Sequence, residues 1–376
     1  MKSELTLFDR TLTLLRYPVR NNETLQAWDA GDEYLISHVE EFRLPEQQNI
    51  LVLNDNFGAL SCWFSEKHHV TTVNDSYIAQ QATQQNLQRN HCNPVTFATS
   101  LDALPNNVDL VVMQIPRNNR YLVWQLTQLR KSLSADIPVI AVNKAKDIHS
   151  STLKLFEKHL GQTNTSLAWK KHRLVFSFAN TNQPTEIEQF SEWTVDEHKI
   201  TLKNLANVYS GDGLDQGARF MLEHLPNGDK HSKAIDLGCG NGVLSVKLAQ
   251  LNPTMAITCV DESFMAVESA KQNLLGNLEA DRDFEFIANN CLDGFNSGDY
   301  DLVICNPPFH QQQTVTDHIA WQMFCDAKHV LDNGGQLFVI GNRHLGYDVK
   351  LKRLFGKSNV TLVAANKKFV ILQATK

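Results

Sequence analysis

Asn306-Pro307-Pro308-Phe309 closes an apolar run, Leu302 to Cys305, with a side-chain amide, two prolines and a phenyl ring. Residues of these types, in this order, suit chemistry on a planar amine. The exocyclic amine of a nucleobase is a poor nucleophile because its lone pair is delocalised into the ring. Acceptors outside the ring plane that hold both amine hydrogens pyramidalise the nitrogen and turn its lone pair towards a methyl sulfonium. The Asn306 side-chain oxygen supplies one acceptor and the Pro307 carbonyl the other. Pro308 stiffens that peptide, since proline fixes its own φ and restricts its predecessor. Phe309 offers a ring face to an unstacked base. Alignment of two bound reactants can remove ~7–11 kcal/mol of barrier, so the transfer needs no obligate general base. An Asn-Pro pair alone is equally an ordinary strand-closing turn. The loops upstream decide between the two.

Those loops have the composition of a nucleotide-type pocket. In AIDLGCGNGVLSV, Asp236 and the glycines Gly238, Gly240 and Gly242 lie between a strand and a helix. Glycine tolerates positive φ and admits a ligand where a Cβ would collide. The first βα turn is also where a doubly wound sheet binds ligands. The next strand ends Val260-Asp261-Glu262-Ser263. There the Asp261 carboxylate can accept from both hydroxyls of a ribose, and Asp261 or Ser263 can equally cap a helix. Asn290, after the third strand, is placed to meet an adenine edge. A dinucleotide wants GxGxxG with its pyrophosphate on a helix N-terminus. S-adenosylmethionine has no phosphate and needs close backbone approach without an anion cradle. The GxGxG spacing leans towards the sulfonium cofactor, and the Asn-Pro-Pro-Phe tip decides for it.

Positioning these loops requires a sheet, and the chain encodes that sheet twice. ILVLNDNFGALS (50–61) lies over AIDLGCGNGVLS (234–245), and VNDSYIAQQATQQNLQRN (73–90) over VDESFMAVESAKQNLLGN (260–277). DLVVMQIPR (109–117) lies over DLVICNPPF (301–309), and IAVNK (140–144) over VIGNR (339–343). Because the matches keep their order, this is one fold repeated, with a polar seam near 181–190. Domain boundaries follow at 1–185 and 186–376. The first copy has Asn54 and Asn56 for two of the glycines, and Gln114-Ile115-Pro116-Arg117 for the tip. One working site is therefore expected, in the second copy.

In that copy the pattern predicts strands at 234–237, 256–260, 283–288, 300–305 and 335–341. Helices are predicted at 243–251, 263–275, near 317–331 and at 347–356, with two final strands at 359–364 and 367–374. Alternation of this kind gives an α/β fold with a mostly parallel sheet covered on both faces. The short final connection makes the last pair antiparallel.

Bulk properties narrow the function classes. The chain of 376 residues is 42% hydrophobic and 20% charged, ordinary for a soluble globular protein of two or three domains. No run approaches the ~20 apolar residues of a membrane span, and the N-terminus is not a convincing signal peptide. Seven cysteines without a CxxC pair and fourteen histidines without ligand spacing indicate neither disulfide framework nor metal site, and fit a reducing cytoplasm. The net charge of −6 argues against an indiscriminate nucleic-acid binder. Residues 144–173 nevertheless carry seven Lys/Arg, including Lys144, Lys146, Lys170, Lys171 and Arg173, against Asp147 and Glu157. Such a run is either a solvated face or a surface for phosphates.

With these motifs in order, the sequence resembles the class I S-adenosylmethionine-dependent methyltransferases with an NPPF/Y tip. More narrowly it resembles the paired-domain ribosomal RNA guanine-N2 methyltransferases, in which a degenerate first half precedes an active second half. NVYSGDGLDQGARFML (207–222), DLGCGNG (236–242), VDES (260–263) and NPPFHQQ (306–312) carry the likeness. TLQAWDAGDEYL (24–35), KAKDIHSSTLKLFEKHLG (144–161) and TSLAWKKHRL (165–174) resemble the large-subunit (RlmG-type) group.

The resemblance implies two tandem Rossmann-like domains and N2 methylation of a guanosine in 23S rRNA, the target base extruded from its stack. Its cofactor would be S-adenosyl-L-methionine, its product S-adenosyl-L-homocysteine, with no metal and no membrane partner. By position, Asp236, Gly238, Gly240, Gly242 and Asp261 hold the cofactor, Asn290 lies near its adenine, and Asn306, Pro307 and Phe309 hold the target base. Asp215 contributes to the methionine end or caps a helix. The stretch 144–173 becomes an RNA-docking surface. Alternatives are 16S rRNA, adenine N6 or a protein glutamine as acceptor. A nicotinamide oxidoreductase or an inactive RNA-binding scaffold are the other classes. The sequence assigns no oligomeric state.

Overall fold

The structure, a computed structural model, describes residues 2–376 except 21–22, 181–189, 229, 280 and 309–312; at 313–317 it describes backbone alone. The chain forms two compact units, Met1–Gln189 and Phe190–Lys376.

The first unit opens with a hairpin, β1 (Glu4–Leu7) and β2 (Arg10–Thr13), then α1 (Ala30–Glu41). Next come β3 (Asn49–Leu53), α2 (Ala59–Phe64), β4 (His69–Asn74), α3 (Tyr77–Arg89) and β5 (Thr96–Thr99). It continues with β6 (Leu110–Gln114), α4 (Asn119–Ser132), β7 (Pro138–Lys144) and α5 (Ser150–His159). It ends with β8 (Thr163–Thr165) and β9 (His172–Phe178).

The second unit repeats the plan. A hairpin of β10 (Ser191–Val195) and β11 (Ile200–Asn204) precedes α6 (Gln216–Leu222). Then follow β12 (Lys233–Leu237), α7 (Val243–Leu251), β13 (Ala256–Asp261), α8 (Phe264–Asn277) and β14 (Phe284–Ala288). The last elements are β15 (Tyr300–Cys305), α9 (Gln313–Val330), β16 (Leu331–Asn342), α10 (Tyr347–Phe355), β17 (Val360–Ala365) and β18 (Phe369–Thr375).

Both seven-stranded sheets share one order, β5-β4-β3-β6-β7-β9-β8 and β14-β13-β12-β15-β16-β18-β17. All pairings are parallel except those of β9 with β7 and β8, and of β18 with β16 and β17. The α/β class and the antiparallel end thus stand as read from the sequence. Two boundaries differ by more than two residues. The helix expected near 317 starts at Gln313, and β16 starts at Leu331 because that residue bridges Tyr300 before the ladder resumes at Leu302↔Gln336.

Strand alternation sorts the second unit's core onto two faces. Ala234, Leu302, Ile304, Phe338 and Ile340 pack with α6, α7 and α8. Ile235, Val303, Cys305, Leu337 and Val339 pack with α9 and α10. Each such buried aliphatic contributes roughly 1.5–3 kcal/mol, so a one-residue slip of β15 would turn its whole apolar set to the wrong face.

The repeated Asn-x-x-x-Asn of the two long helices has a structural use. Asn273 Nδ2 donates to Lys203 O (2.9 Å) while its Oδ1 accepts from Lys203 N (2.8 Å), and Asn277 does the same at Thr201 (2.7 and 3.0 Å). In the first unit Asn86 pairs in this way with Leu15 and Asn90 with Thr13. An amide offers a donor and an acceptor at once, so it completes a strand's edge as another strand would. Asn86 and Asn273 also donate to Phe57 O and Asn241 O, tying each long helix to the loop after the first core strand.

Candidate functional site

The site lies at the C-terminal ends of β12, β13 and β15. The strand order reverses on either side of β12, the switch point of such a sheet. Asp236, the fourth residue of β12, is 1% exposed. Ser245 of α7 donates to its Oδ2 at 2.6 Å, and its Oδ1 is buried without a partner. Burial drives the Asp236 carboxyl up to about 7; the Ser245 hydroxyl opposes this and the Asp261 charge adds to it.

The glycine loop holds its shape through positive φ at Gly238 (78°), Gly240 (54°) and Gly242 (77°). These glycines meet different surroundings. A Cβ on Gly240 would meet nothing within 4 Å, and one on Gly238 would meet only the Met323 methyl at 3.2 Å. A Cβ on Gly242 would stand 3.0 Å from Ala270 Cα and from Leu274, against α8. Gly242 is also the N-cap of α7. Its missing side chain admits a helix, whereas that of Gly240 leaves open space beside the loop.

Asp261 ties the loops together. Its Oδ2 accepts from Gly240 N and its Oδ1 from Ser263 N, both at 3.0 Å, and burial lifts its pKa. Ser263, not Asp261, caps α8, accepting from Ala266 N at 3.1 Å. The Glu262 N–H also bears on this carboxylate, whose two oxygens together offer about four acceptor sites. Asn290 is buried beyond β14, and its Oδ1 accepts from Gln322 Nε2 of α9 at 3.2 Å. Asp215 caps α6: its Oδ2 accepts from Ala218 N at 2.9 Å, and Tyr209 Oη donates to its Oδ1 at 3.4 Å.

Asn306 follows the last residue of β15, and its Oδ1 is buried without a partner among the described residues. Pro307 is buried next to it, while Phe309 lies outside the described residues. A buried acceptor left unpaired costs ~1–3 kcal/mol. At a strand tip beside a glycine loop it is an acceptor open to a donor. Asn306 and Asp236 together present two such oxygens.

A cofactor with an ammonium, a ribose and a flat base fits this donor and acceptor set. Asp236 Oδ1 would take the ammonium, Asp261 the ribose hydroxyls, and the open space at Gly240 the close approach of the ligand. Among the described residues no group of three or more His, Cys, Asp or Glu could hold a metal ion, and no helix is long and apolar enough to cross a membrane.

In the first unit the corresponding pocket is filled from within. Asn54, in place of Gly238, keeps φ at 61°. Its amide exchanges two 2.9 Å hydrogen bonds with Gln125 and donates to Gln114 O at 2.8 Å. Gln114, in place of Asn306, donates to buried Asp32 at 2.5 Å. Burial, with Asp29 and Asp55 nearby, holds the Asp32 carboxyl well above the usual range.

The basic stretch does converge. The β7–β9 pairing sets Lys144 against His172, and Ala145 N donates to Lys171 O at 2.8 Å. Lys144, Lys146, Lys170 and Lys171 are exposed around this end of the ladder, with half-buried Arg173 beside them. Lys170 pairs with Glu33 at 2.8 Å and lies 4.3 Å over the Trp169 ring. The ring of Tyr34 sits 5.4 Å from Trp169. Sequence reading missed Glu33, Tyr34 and Trp169 here, and Ser245 and Tyr209 at the other site. The Ser61/Ser245 match was the one available signal for Ser245.

Residues 2–182 match the RLMG N-terminal domain and residues 199–373 the methyltransferase small domain. The ribosomal RNA large subunit methyltransferase G of Vibrio parahaemolyticus is 66% identical over all of this chain and 98% of its own length. That of Vibrio vulnificus is 67% identical over the whole of both chains. Among solved structures, the T. thermophilus 16S rRNA N2 G1207 methyltransferase, in complex with AdoMet and guanosine, superposes with a TM-score of 0.77 at 19% identity. The superposition covers 99% of this chain and 97% of that one, a likeness of fold.

Proposed function

The chain belongs to the ribosomal RNA large subunit methyltransferase G family, and from that footing we propose that it methylates the exocyclic N2 amine of one guanosine in 23S rRNA. S-adenosylmethionine-dependent rRNA methylation is the chemistry of the family; base, atom and RNA are the finer reading. S-adenosylmethionine supplies an electrophilic methyl on a sulfonium. Transfer of that methyl would leave S-adenosylhomocysteine and N2-methylguanine, the displaced amine proton passing to solvent.

The protein's part is positioning. Asn306 Oδ1 accepts one hydrogen of the N2 amine and the Pro307 carbonyl the other, turning the nitrogen lone pair out of the ring plane. Phe309 stacks on the extruded base. Asp236 meets the ammonium of the cofactor, Asp261 its ribose, and the Gly238–Gly240 backbone runs alongside. Asn290 borders the adenine, its amide oriented by Gln322. Asp215 acts at the methionine end through the α6 N-terminus that it caps. The first unit docks RNA through Lys144, Lys146, Lys171 and Arg173. Lys170 contributes less there, because Glu33 neutralises it.

The unpartnered Oδ1 of Asn306, at the tip of a central strand beside the glycine loop, carries this reading. The large-subunit assignment draws on the names of the 66–67% identical relatives.

The test uses S-adenosylmethionine labelled in its methyl group, with unmodified large- and small-subunit RNA, both free and in assembled subunits. Digestion to nucleosides should give label in N2-methylguanosine from large-subunit RNA. Label in another nucleoside overturns the base assignment. No label in any RNA overturns the reading as a whole.

A further inference from the structure

Asn342, the last residue of β16, is 8% exposed, and its Oδ1 is buried without a partner. Among the described residues it is a third orphaned oxygen at the C-terminal end of this sheet, with Asp236 Oδ1 on β12 and Asn306 Oδ1 beyond β15. Strand alternation puts all three on one face. Ala234, Ile304 and Ile340, each two residues before one of them, pack together on the α6–α7 side. The register Cys305↔Val339 sets Asn342 level with Pro308, one strand over and two residues on from Asn306. Neighbouring strands lie ~4.8 Å apart with a rise of ~3.3 Å per residue, so the two Cα positions are about 8 Å apart. That interval suits one planar base held between two side chains.

The first unit supplies a contrast. Its counterpart, Asn143, accepts at Oδ1 from Lys144 N (2.8 Å) and donates from Nδ2 to Ile115 O (3.4 Å). A strand-end asparagine can thus be satisfied internally in this fold, and in the second unit its oxygen is not.

We infer that Asn342 reads base identity, its Oδ1 accepting the N1–H of the target guanine while Asn306 holds the N2 amine. This rests on the assignment of Asn306 above. The Watson–Crick edge of guanine offers two adjacent donors, N1–H and the amine. In adenine and in 2-aminopurine, N1 is an acceptor. An oxygen facing that lone pair would be unpaired and repelled, so Asn342 selects guanine where Asn306 alone would accept any planar amine. Discrimination by a buried acceptor against a ligand lacking the matching donor is strong.

The experiment starts with wild-type enzyme, to establish N2-methylguanosine formation and map its position. Failure at that point refutes the functional reading itself. RNA carrying guanine or 2-aminopurine at the mapped position is then offered to wild type, Asn342→Ala and Asn342→Asp, with S-adenosylhomocysteine affinity measured for each. Wild type should use the 2-aminopurine RNA roughly ten- to a hundredfold less well in kcat/KM. Asn342→Ala should lose a similar factor on guanine RNA and show little preference between the two RNAs. Asn342→Asp, which keeps an acceptor, should retain the preference for guanine. Cofactor affinity should stay within about twofold of wild type, a change small against these factors. Equal losses on both RNAs for Asn342→Ala would mean a structural role and overturn the inference. Reduced S-adenosylhomocysteine affinity would assign the oxygen to the cofactor and overturn it equally.

Discussion

Asp236 allows a test whose sign is unusual for a carboxylate. Most native aspartates titrate below their unfolded value and stabilise the fold at neutral pH. Asp236 is raised from 3.8 to about 7 because the folded chain buries it. Folding therefore favours its protonated form. That favour is complete below the unfolded pKa, declines as pH rises, and is lost above about 7. At ~1.4 kcal/mol per pH unit between the two values, the charged form costs the apo protein roughly 4 kcal/mol at alkaline pH. Asp236→Asn keeps an oxygen for the Ser245 hydroxyl and cannot ionise. The variant should match or fall slightly below wild type near pH 4. Its relative stability should then grow by about 1–1.5 kcal/mol per unit up to about pH 7 and level off. Losing the charge-assisted Ser245 bond, worth ~1.5–3 kcal/mol, offsets part of the plateau.

The assay is urea denaturation of both proteins across that range, without cofactor. The buried carboxylates of the first unit, Asp32 and Asp55, cancel in the difference, whereas Asp261, whose charge bears on Asp236, adds to its slope. S-adenosylhomocysteine titration completes it: a cationic ammonium beside Asp236 favours the carboxylate, so wild type should release protons on binding near pH 7. Asp236→Asn should bind at least tenfold more weakly, about the ~1.5–3 kcal/mol of a charge-assisted hydrogen bond. A stability difference independent of pH would refute the buried-charge argument. Unchanged cofactor affinity would refute the role given to Oδ1.

Asn306→Ala should lower turnover roughly a hundred- to a thousandfold at unchanged S-adenosylhomocysteine affinity, by analogy with removal of a preorganised polar contact; near-wild-type methylation would remove the amine-holding role. Gly240→Ala should cost about 1–2 kcal/mol of stability, from its positive φ alone, while weakening cofactor binding. Gly242→Ala should cost about 2–4 kcal/mol in denaturation, because its Cβ also meets α8. Lys144→Glu with Lys171→Glu should cut rRNA affinity about tenfold at low salt, flatten its salt dependence by about 1–2 in log–log slope, and spare cofactor binding. Calorimetric titration should give one S-adenosylhomocysteine per chain, and a second site would contradict the filled pocket of the first unit.

What the sequence disclosed is what depends on local order. The repeat, the strand–glycine–helix unit and the Asn-Pro-Pro-Phe tip are short contiguous signals, and each element they implied is present within a few residues. Partners distant along the chain were not legible. Glu33 neutralises Lys170 from 137 positions away, and Gln322 holds Asn290 from 32 positions away. Gly242 reads in sequence as one more cofactor glycine. Only packing separates it from Gly240, since both need positive φ and one also faces a helix. Asn342 looked like any polar strand end. Its significance lies in a missing hydrogen bond, which no residue type encodes.

The two units act as an internal control for what makes such a site. They share strand order, the hairpin staples of Asn86/Asn90 and Asn273/Asn277, helix caps at Asp29 and Asp215, and the left-handed glycine before the second helix. They differ at three matched positions, Asn54 against Gly238, Gln114 against Asn306 and Asn143 against Asn342. In the first unit Asn54 meets Gln125, Gln114 meets Asp32, and Asn143 accepts from Lys144 N. In the second, Asn306 and Asn342, and Asp236 where the first unit has Val52, each bury an oxygen without a partner among the described residues. At ~1–3 kcal/mol apiece these are a burden on a fold whose net stability is on the order of 5–15 kcal/mol. A ligand that supplies the missing donors relieves them, so binding energy is concentrated on the groups that orient the reaction. In the first unit bonded amides at the positions of Gly238, Asn306 and Asn342, and Val52 at that of Asp236, leave no such open acceptor at these four places among the described residues.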